Sequence, residues 1–528
     1  MQNVRIFYFF VYHTTHPLKS NKHQRRYENK KIYRANRLVN WCPHLQTAIS
    51  NIEVEPWELK GLKKIKVPGG GDKLYPFGIF QKFAYKIEGG SDDDELVVAT
   101  TRLETMLGDT AVAVHPDDPR YAKYHGKYVI HPIDGRRLPI VLDKELVDMT
   151  KGTGCVKITP SHDENDFKCG LRHKLEFINI LTDSGHMNEN VHKDFQGMFR
   201  YDARLELETR LTKMGLYRGT EEKEMVIGRC SRSGDIIEPI QKPQWWVDID
   251  EMAQRAMDAV EDGSLKLIPK EHVKTWNQFL GNKQPWCISR QLWWGHRCPA
   301  YLIKSKKGDD KENTNEYSAE SENWVVARSK KEAIAIATKR RGVSADELVL
   351  EQDSDVLDTW FSSGLFPFSV FGWPDKTNDL EAFFPTHLLE TGLDILFFWV
   401  ARMVMMSLEL QNQLPFKEVY LHAMVRGVLA LSNHFIFFMF QIRDKKLEEQ
   451  HSHTNARTQV RDARGRKMSK SLGNVIDPLE IIDGATLKAL HAKLRKGNLN
   501  PDEIKTCENE QKSDFPDGIP QCGTYFVS

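Results

Sequence analysis

The chain has 528 residues, of which 40% are hydrophobic and 28% are charged, proportions that are ordinary for a soluble globular protein. This length exceeds what one compact core holds, so about three or four domains are expected. The 74 basic and 73 acidic residues leave a formal net charge of +1, so no global positive field indicates a nucleic-acid partner. The net charge does not exclude a local basic surface that binds RNA.

The first 29 residues contain the aromatic run Phe7–Val11, which is too short to span a membrane. No convincing small-residue cleavage site follows this run, and its aromatic content is unusual for a mitochondrial transit peptide. The expected location is therefore the cytoplasm, with the mitochondrion as the alternative. No membrane partner is predicted.

Strands and helices are predicted from the pattern of apolar residues along the chain. Leu96–Ala99 has the pattern of a buried strand, and Gly152–Thr159 contains another. Ala203–Leu216 has helical periodicity, and Gly215 is suited to ending that helix. Strands that alternate with helices over such a length indicate an α/β architecture.

Eight cysteines are scattered along the chain without paired spacing, which is typical of a reducing compartment. Two segments invite a zinc interpretation, Cys42–Leu45 and Cys230–Ser233. Neither contains a second ligand at Cys-X-X-Cys spacing. We therefore predict no zinc site and no other metal site.

Two later segments have contrasting compositions. Lys304–Asn323 is polar with mixed charges and is predicted to be a surface insertion. Ile395–Leu410 is apolar almost throughout, with Arg402 inside it. Because it is too short and too charged to cross a membrane, we expect a helix buried in a large domain.

The segment Gly427–Arg461 disagrees with its neighbours. It contains the apolar run Phe435–Phe440 followed by a hydrophilic tail, and the dipeptide Val-Arg occurs on both sides of it, at Val425-Arg426 and Val460-Arg461. Removing one copy with everything between joins the flanks smoothly. We interpret the segment as an artefact of gene assembly, such as a retained intron; a genuine insertion is the alternative. A spliced transcript that contains the segment would refute the artefact.

The loop Lys467–Ser471 has the sequence Lys-Met-Ser-Lys-Ser and is followed by Leu472-Gly473-Asn474. Two lysines on a short loop place positive charges where a triphosphate accumulates negative charge in a transition state. The motif resembles the second ATP-binding signature of class I aminoacyl-tRNA synthetases. Lys467 and Lys470 would then be catalytic, stabilising attack at the α-phosphate and the departing pyrophosphate, with Ser469 and Ser471 beside the nucleotide.

Three longer stretches, Asn36–Cys42, Trp286–Tyr301 and Asp355–Pro374, resemble the valyl-tRNA synthetases, a class I family. The resemblance runs from Tyr33 to Thr524 apart from Gly427–Arg461. It implies an α/β fold, namely a Rossmann-like class I synthetase catalytic domain with an inserted β-rich editing domain. The implied organisation is an N-terminal fragment with the start of the insertion connective at 1–74, the editing domain at 75–269, the catalytic domain at 270–426, the anomalous segment at 427–461, and the signature-loop region at 462–528, which ends before an anticodon-binding domain.

The implied activity is that of a valine–tRNA ligase in protein biosynthesis, with tRNA(Val), valine and ATP as partners and Mg²⁺ accompanying ATP as substrate. Trp360 and Trp399 would form rigid walls around a small branched side chain. Glu390, Gly392 and Asp394 would contact the adenylate, because glycine permits close backbone approach and carboxylates suit ribose hydroxyls or an amine.

The second implied activity is editing. A pocket that accepts valine rejects threonine poorly, a limit for which the valine enzyme is itself the standard case, so a second site must hydrolyse threonyl-tRNA. Thr100–Thr105 and Lys157–Asp166 resemble the two walls of that site. The residues assigned to it by this resemblance and by their chemistry are Asp166 for the substrate ammonium, Asp163, Thr159 and Thr105 for the threonine hydroxyl, and Arg102 and Lys157 for the terminal adenosine or phosphate. Lys168 stands where the family usually has glutamate, which leaves the efficiency of editing or its contacts with the terminal nucleotide in doubt.

Class I enzymes also carry an early His-X-Gly-His signature, of which His13–His16 keeps only the spacing of the two histidines. We therefore expect a fragment without valine-dependent pyrophosphate exchange. Two alternatives stay open: a stand-alone threonyl-tRNA deacylase and a non-catalytic tRNA-binding paralogue. The complete Lys467–Ser471 motif argues against the deacylase, which has no use for it.

Overall fold

The computed structural model describes residues 31–91, 93–305, 323–422, 478–495 and 501–521. The chain divides into two compact units, of which the first comprises Met1–Arg255 and Leu280–Leu380 and the second comprises Ala256–Phe279 and Glu381–Ser528. The anomalous segment and the Lys467–Ser471 loop both lie outside the described residues. The domain boundaries given above stay predictions.

The described strands, in chain order, are β1 Ile32–Cys42, β2 Thr47–Ile49, β3 Val54–Leu59, β4 Lys63–Lys66, β5 Leu74–Phe77, β6 Ile79–Ile87, β7 Glu95–Thr100, β8 Ala111–Val114, β9 Tyr128–Ile130, β10 Arg137–Leu142, β11 Cys155–Ile158, β12 Tyr217–Glu222, β13 Met225–Cys230, β14 Glu238–Val247, β15 Lys266–Ile268, β16 Trp286–Cys287, β17 Ser289–Arg290, β18 Ala300–Ser305, β19 Trp324–Val326, β20 Leu348–Gln352, β21 Val356–Leu357, β22 Thr386–Gly392 and β23 Phe416–His422.

The described α-helices are α1 Glu164–His173, α2 Arg200–Lys213, α3 Asp250–Glu261, α4 His272–Leu280, α5 Lys330–Arg341, α6 Thr359–Ser363, α7 Phe366–Ser369, α8 Asn378–Phe383, α9 Ala401–Gln411, α10 Pro478–Ile482, α11 Leu487–Leu494 and α12 Pro501–Asp514. Short 3-10 helices cover Asn51–Glu53, Leu103–Gly108, Ala122–Tyr124, Ala345–Glu347 and Leu393–Ile395, and a π-helical turn covers Leu396–Val400. In the described part of the chain, no helix is both long enough and apolar enough to cross a membrane.

The largest sheet of the first unit has seven strands in the order β11-β8-β10-β9-β6-β12, with β7 also paired to β6. The β8–β10 pair is parallel and the other pairs are antiparallel. In β7, Leu96 and Val98 alternate with more exposed residues, so one face of the strand is buried, as period-2 patterning requires. Helix α2 covers this core with Ala203 and Leu207.

A second sheet of the first unit is antiparallel throughout, in the order β16-β14-β1-β2. Its long pair β1–β14 joins residues about 200 positions apart in sequence, from Ile32↔Val247 to Trp41↔Glu238. Trp41 is fully buried and belongs to the same hydrophobic core as the seven-stranded sheet. The long ribbon and the large sheet therefore share one core.

The second unit contains a parallel sheet in the order β15-β23-β22. Parallel neighbours such as β22 and β23 need a crossover connection, and here α9 supplies it. This arrangement is typical of Rossmann-like folds, in which ligands bind beyond the carboxyl ends of the strands.

The predicted elements compare well with the observed ones. The strands predicted at Leu96–Ala99 and within Gly152–Thr159 are confirmed as β7 and β11. The predicted helix Ala203–Leu216 is found as α2, which begins three residues earlier and ends before Gly215, whose φ is +66°. The buried helix predicted at Ile395–Leu410 begins as 3-10 and π turns and becomes α-helical only at Ala401. Of the predicted insertion Lys304–Asn323, residues 306–322 lie outside the described part.

Candidate functional site

The candidate site lies where two connections meet at one end of the large sheet. Residues 101–110 link β7 to β8, and residues 159–163 link β11 to α1. Strands β8 and β11 are antiparallel, with Ala111 opposite Ile158. The start of one strand therefore lies beside the end of the other, and this brings Thr105 and Asp109 close to residues of β11.

Gly108 makes this close approach possible. A Cβ atom at this position would lie 2.8 Å from Ile180 Cγ2 and 3.1 Å from the carbonyl oxygen of Ile178. Both neighbours belong to the packed interior, where a shift of either would be costly. Glycine thus allows the connection to fold tightly against the chain before Asp109.

Lys157 is the centre of the group that we call the threonine–aspartate cluster: Thr105, Asp109, Lys157, Thr159 and Asp166. Its ammonium donates to Thr105 Oγ1 at 2.7 Å, to Thr159 Oγ1 at 2.6 Å and to Asp109 Oδ1 at 3.0 Å. An ammonium has three N–H donors, so all of them are used. Because the side chain is buried, this saturation is what allows a charged lysine to stay there.

The two threonine hydroxyls keep acceptor capacity. Thr105 Oγ1 donates to the carbonyl oxygen of Arg102 at 2.9 Å, and Thr159 Oγ1 donates to Asp109. Each hydroxyl oxygen also accepts one hydrogen bond from Lys157. A hydroxyl has two lone pairs, so each oxygen can accept one further hydrogen bond from a ligand.

Asp109 was not singled out from the sequence, although it lies only four residues after Thr105. Besides the contacts with Lys157 and Thr159, it accepts a hydrogen bond from the fully buried Tyr85 hydroxyl. Burial, reinforced by the charge of Asp109, raises the pKa of Tyr85 well above its usual value. Tyr85 therefore acts here as a neutral donor that helps to hold the Asp109 carboxylate in place.

Asp166 differs from Asp109 in having few partners. Its carboxylate is buried, and in the described part of the chain the hydrogen bond that it accepts is from the backbone N–H of Thr159, at 2.9 Å. Burial, and then the charge of Asp163, raise the pKa of Asp166 to about 7. A carboxyl with this pKa gains from any cation that approaches it.

Asp163 forms the N-cap of α1 and is exposed. Its Oδ1 accepts hydrogen bonds from the backbone N–H groups of Asn165 at 2.8 Å and Asp166 at 3.1 Å. This local cap explains why the helix begins at Glu164 and why Asp166 lies in its first turn. Lys168, two residues later, is also exposed and pairs with Glu164 at 3.0 Å.

Arg102 faces a different group, which we call the arginine–carboxylate cluster. Its guanidinium contacts Glu238, lies 3.6 Å from Glu104, and donates to the carbonyl oxygen of His162 at 2.7 Å. The members of the cluster are Arg102, Glu104, Arg200, Arg204, Asp235 and Glu238. Sequence analysis missed this cluster apart from Arg102.

Every carboxylate of the arginine–carboxylate cluster is paired with an arginine, while Nη1 of Arg200 has no hydrogen-bond partner among the described residues. Arg204 binds Glu104 with two parallel contacts of 2.6 and 2.9 Å, while Arg200 lies 2.9 Å from Asp235 and 3.0 Å from Glu238. Against the effect of burial, the guanidinium groups of Arg204 and Arg102 hold the pKa of Glu104 below its usual value. Bidentate pairs of this kind hold the guanidinium and the carboxylate in one relative orientation.

The predicted adenylate contacts lie in the second unit. Glu390 and Gly392 belong to the end of β22, and Asp394 lies in the 3-10 turn that follows. Glu390 is exposed and its carboxylate lies 3.1 Å from Nε2 of His422 on the neighbouring strand. The three residues thus share the carboxyl end of the parallel sheet.

The two predicted tryptophan walls belong to different units. Trp360 is half-buried in α6 of the first unit, and Trp399 is half-buried in the π-helical turn of the second. The predicted catalytic and ATP-binding residues Lys467, Ser469, Lys470 and Ser471 lie outside the described part. All of these assignments stay predictions.

One group of described side chains has the spacing of metal ligands: Asp143, Cys169 and His173. Asp143 Oδ2, however, accepts hydrogen bonds from Arg172 at 2.6 Å and from His173 at 3.1 Å. A guanidinium therefore already occupies the carboxylate that a cation would need, and the group holds the last turn of α1.

The two cysteines that invited a zinc interpretation come together in the fold. The thiols of Cys42 and Cys230 lie within hydrogen-bonding distance of each other, and Ser233 Oγ is 3.2 Å from Cys42 Sγ. Both thiols are buried. The absence of zinc stays a prediction.

The threonine–aspartate cluster can hold a cationic ligand that also carries a hydroxyl. With Asp166 protonated, Lys157 balances Asp109, so the cluster is neutral. If a ligand ammonium arrives, Asp166 can ionise and restore that balance. The free lone pairs of Thr105 and Thr159 can then accept a hydrogen bond from a ligand hydroxyl.

Comparisons with known proteins show the family to which this chain is similar. The model of the family described as tRNA synthetases class I (I, L, M and V) matches residues 16–428 and 444–506. The mitochondrial valine–tRNA ligase of Saccharomyces cerevisiae is 50% identical over 95% of this chain and 41% of its own length. The valine–tRNA ligase of Caenorhabditis elegans is 51% identical over 94% of this chain and 43% of its own length, and that of Homo sapiens is 50% identical over 95% and 36%. The chain thus spans less than half of the length of these relatives.

Proposed function

The chain belongs to the class I tRNA synthetases, and we propose that it is part of a valine–tRNA ligase whose threonine–aspartate cluster hydrolyses threonyl-tRNA. Identity of about 50% to valine–tRNA ligases over nearly the whole chain supports the ligase assignment. The substrates of the ligase reaction would be valine, tRNA(Val) and ATP with Mg²⁺. A cytoplasmic location is proposed, with the mitochondrion as the alternative.

The buried arrangement of Asp166 beside Lys157 and the two threonine hydroxyls is the observation that carries the editing assignment, and the raised pKa of Asp166 agrees with it. At about 7, this carboxyl is poised to ionise when the α-ammonium of an aminoacyl ester arrives. Thr105 and Thr159 would accept the hydrogen bond of the threonine hydroxyl, which valine cannot offer. The cluster would thereby orient the threonyl ester for attack by water, and it would hold the valyl ester less firmly because that ester lacks the side-chain hydroxyl.

Hydrolysis of threonyl-tRNA tests this proposal. Asp166→Ala should lower the rate of threonyl-tRNA hydrolysis about 10- to 100-fold, because a charge-assisted hydrogen bond to the ammonium is lost. Glu164→Gln is the matched control, since Glu164 lies in the same helical turn but is exposed, and it should leave the rate unchanged. Full hydrolysis by Asp166→Ala would remove Asp166 from the site.

Substrate choice provides a second test. Threonyl-tRNA(Val) should be hydrolysed and valyl-tRNA(Val) spared, and the rate for threonyl-tRNA should rise with pH through about 7 as Asp166 ionises. Equal hydrolysis of both esters would contradict a hydroxyl-reading cluster. Valine-dependent pyrophosphate exchange measures the ligase reaction separately, so the two parts of the proposal can fail independently.

A further inference from the structure

Tyr85 lies in β6 and contacts the threonine–aspartate cluster through one hydrogen bond. Its side chain is fully buried, and its hydroxyl donates to Oδ2 of Asp109, which is fully buried as well. The ring packs against the rings of Phe83 and His131, whose centroids are 5.0 and 6.4 Å away. Because Tyr85 offers no surface to a ligand, any effect that it has on a ligand passes through Asp109.

The two oxygens of the Asp109 carboxylate have different partners. Oδ1 accepts hydrogen bonds from the Lys157 ammonium at 3.0 Å and from the Thr159 hydroxyl, while Oδ2 accepts one from Tyr85. Burial, reinforced by the charge of Asp109, raises the pKa of Tyr85 well above its usual value, so Tyr85 keeps the proton that it donates. An ionised carboxylate can only accept, so all three groups turn a proton towards Asp109.

This pattern sets the direction of the Thr159 hydroxyl. Because its proton points at Asp109, Thr159 presents only lone pairs elsewhere, and Lys157 uses one of them at 2.6 Å. The proton of Thr105 is committed in the same way, to the carbonyl oxygen of Arg102 at 2.9 Å. The cluster can therefore accept a hydrogen bond from a ligand hydroxyl, but neither threonine has a hydroxyl proton left to donate to it.

Removing the Tyr85 hydroxyl would release this direction. Asp109 Oδ2 would lose the donor that it has among the described residues, and a buried carboxylate oxygen without a donor is costly. The carboxylate avoids that cost by turning or by binding a proton, and either change removes the fixed acceptor of the Thr159 hydroxyl. The Thr159 proton can then turn to the carbonyl oxygen of Thr105, which is 3.4 Å away, or towards the ligand.

We propose that Tyr85 is a positioning residue for substrate choice: acting through Asp109, it holds Thr159 as a hydrogen-bond acceptor, so that the site recognises a side chain that donates. The inference rests on the proposed function and deepens it, because it names a residue without ligand contact that sets the choice between threonyl and valyl esters. A valine side chain donates no hydrogen bond, so the arrangement favours only the threonyl ester.

The test compares hydrolysis of threonyl-tRNA(Val) and valyl-tRNA(Val) by the full chain and by its Tyr85→Phe variant. The kcat/KM for the threonyl ester should fall about tenfold, which is the effect of one misdirected hydrogen bond in a buried site. The slow hydrolysis of the valyl ester should keep its rate, so the threonyl-to-valyl ratio should fall by the same factor. A merely structural role of Tyr85 would lower both rates equally and leave the ratio unchanged.

Tyr75→Phe is the matched control. Tyr75 is also fully buried, and its hydroxyl also donates to a carboxylate, that of Asp202, at 3.1 Å. Asp202 belongs to neither of the two clusters. Tyr75→Phe should therefore leave the threonyl-to-valyl ratio unchanged, whereas urea titration should show a loss of stability in both variants, because each removes a hydrogen bond of a buried tyrosine.

An unchanged ratio in Tyr85→Phe, equal losses for the two esters, or the same fall of the ratio in Tyr75→Phe would each overturn the role of Tyr85. The proposed function would survive these outcomes as long as the unaltered chain prefers threonyl-tRNA and Asp166→Ala lowers its hydrolysis. If the unaltered chain hydrolyses both esters equally or hydrolyses neither, the proposed function fails, and the role of Tyr85 fails with it.

Discussion

The first unit contains two clusters of buried charged side chains around the candidate site, and the two differ in how completely the charges are paired. The arginine–carboxylate cluster contains three guanidinium groups and three carboxylates, and each carboxylate contacts at least one arginine. The threonine–aspartate cluster contains one ammonium and two carboxylates, with the Asp163 carboxylate at its edge. One group is balanced, and the other has an excess of negative charge.

This difference in charge balance predicts different responses to mutation and to pH. In a charge-balanced cluster, removing one member leaves a buried charge without a partner. A cluster with an excess carboxylate is less stable in its ionised form until a cation arrives, so its pKa values shift. Burial, and then the charge of Asp163, raise the pKa of Asp166 to about 7. Burial also raises the pKa of Glu238 in the balanced cluster, but there the guanidinium groups of Arg102 and Arg200 oppose the effect.

The largest expected effect comes from breaking the balanced cluster. Arg204→Met should lower the free energy of unfolding by about 3–5 kcal/mol, because Glu104 is fully buried and would lose its bidentate partner. Urea titration measures this loss. Arg210→Met on the same helix is the control: its pairs with Glu206 and Asp194 are partly exposed, so the cost should be about 1 kcal/mol or less. Equal losses of unfolding free energy in Arg204→Met and Arg210→Met would mean that burial of the ion pair does not determine its contribution to stability.

The next effect concerns the pH dependence of stability. Asp166 has a raised pKa in the folded chain, so its contribution is full below its ordinary pKa and is lost as the pH rises towards about 7. Over that window the loss is about 1.4 kcal/mol per pH unit. Asp166→Asn should remove this dependence while keeping an acceptor for the Thr159 N–H.

Unfolding free energies of the unaltered chain and of Asp166→Asn, measured between pH 4 and 8, check the predicted pH dependence. Glu164→Gln is the control, because Glu164 is exposed. A variant curve parallel to that of the unaltered chain would show that Asp166 does not titrate in the folded state as we expect.

Most members of the threonine–aspartate cluster, and the strands that position them, could be predicted from the sequence. Strand patterning located β7 and β11, and the family resemblance named Thr105, Lys157, Thr159 and Asp166, which the structure brings together. The α/β class I synthetase fold is confirmed by the family match. In contrast, the resemblance did not single out Asp109, whose role depends on its contacts with Lys157 and the distant Tyr85.

The arginine–carboxylate cluster could not be predicted from the sequence, because the residues that pair in it are far apart along the chain. Arg204 and Glu104 are 100 residues apart, and Arg102 and Glu238 are 136 apart. Local patterns carry no information about such partners. The start of the buried helix was missed for another reason: the apolar run before Ala401 has the composition of an α-helix but winds as 3-10 and π turns.

A smaller effect separates the two roles of Asp163. Asp163→Ala should cost about 1 kcal/mol of stability because the N-cap is lost, whereas Asp163→Ser keeps a capping oxygen and should cost little. Both variants remove the charge that helps to raise the pKa of Asp166, so both should move the pH midpoint of threonyl-tRNA hydrolysis downwards. If the pH midpoint shifts in Asp163→Ala but not in Asp163→Ser, the cause is the lost N-cap of the helix rather than the lost charge.

The smallest effect is expected at Lys168. Lys168→Glu replaces an exposed pair with two like charges one helical turn apart, which should cost under about 0.5 kcal/mol. The pH midpoint of hydrolysis should stay in place, because the pKa of Asp166 is set first by burial and then by Asp163, Lys157, the Thr159 backbone and Asp109 rather than by Lys168. Urea titration and the pH profile of hydrolysis measure the two quantities. A shifted midpoint would mean that a charge on the solvent-exposed face of α1 also influences the pKa of Asp166. The threonine–aspartate cluster would then include Lys168, and its charge balance would differ from the one described above.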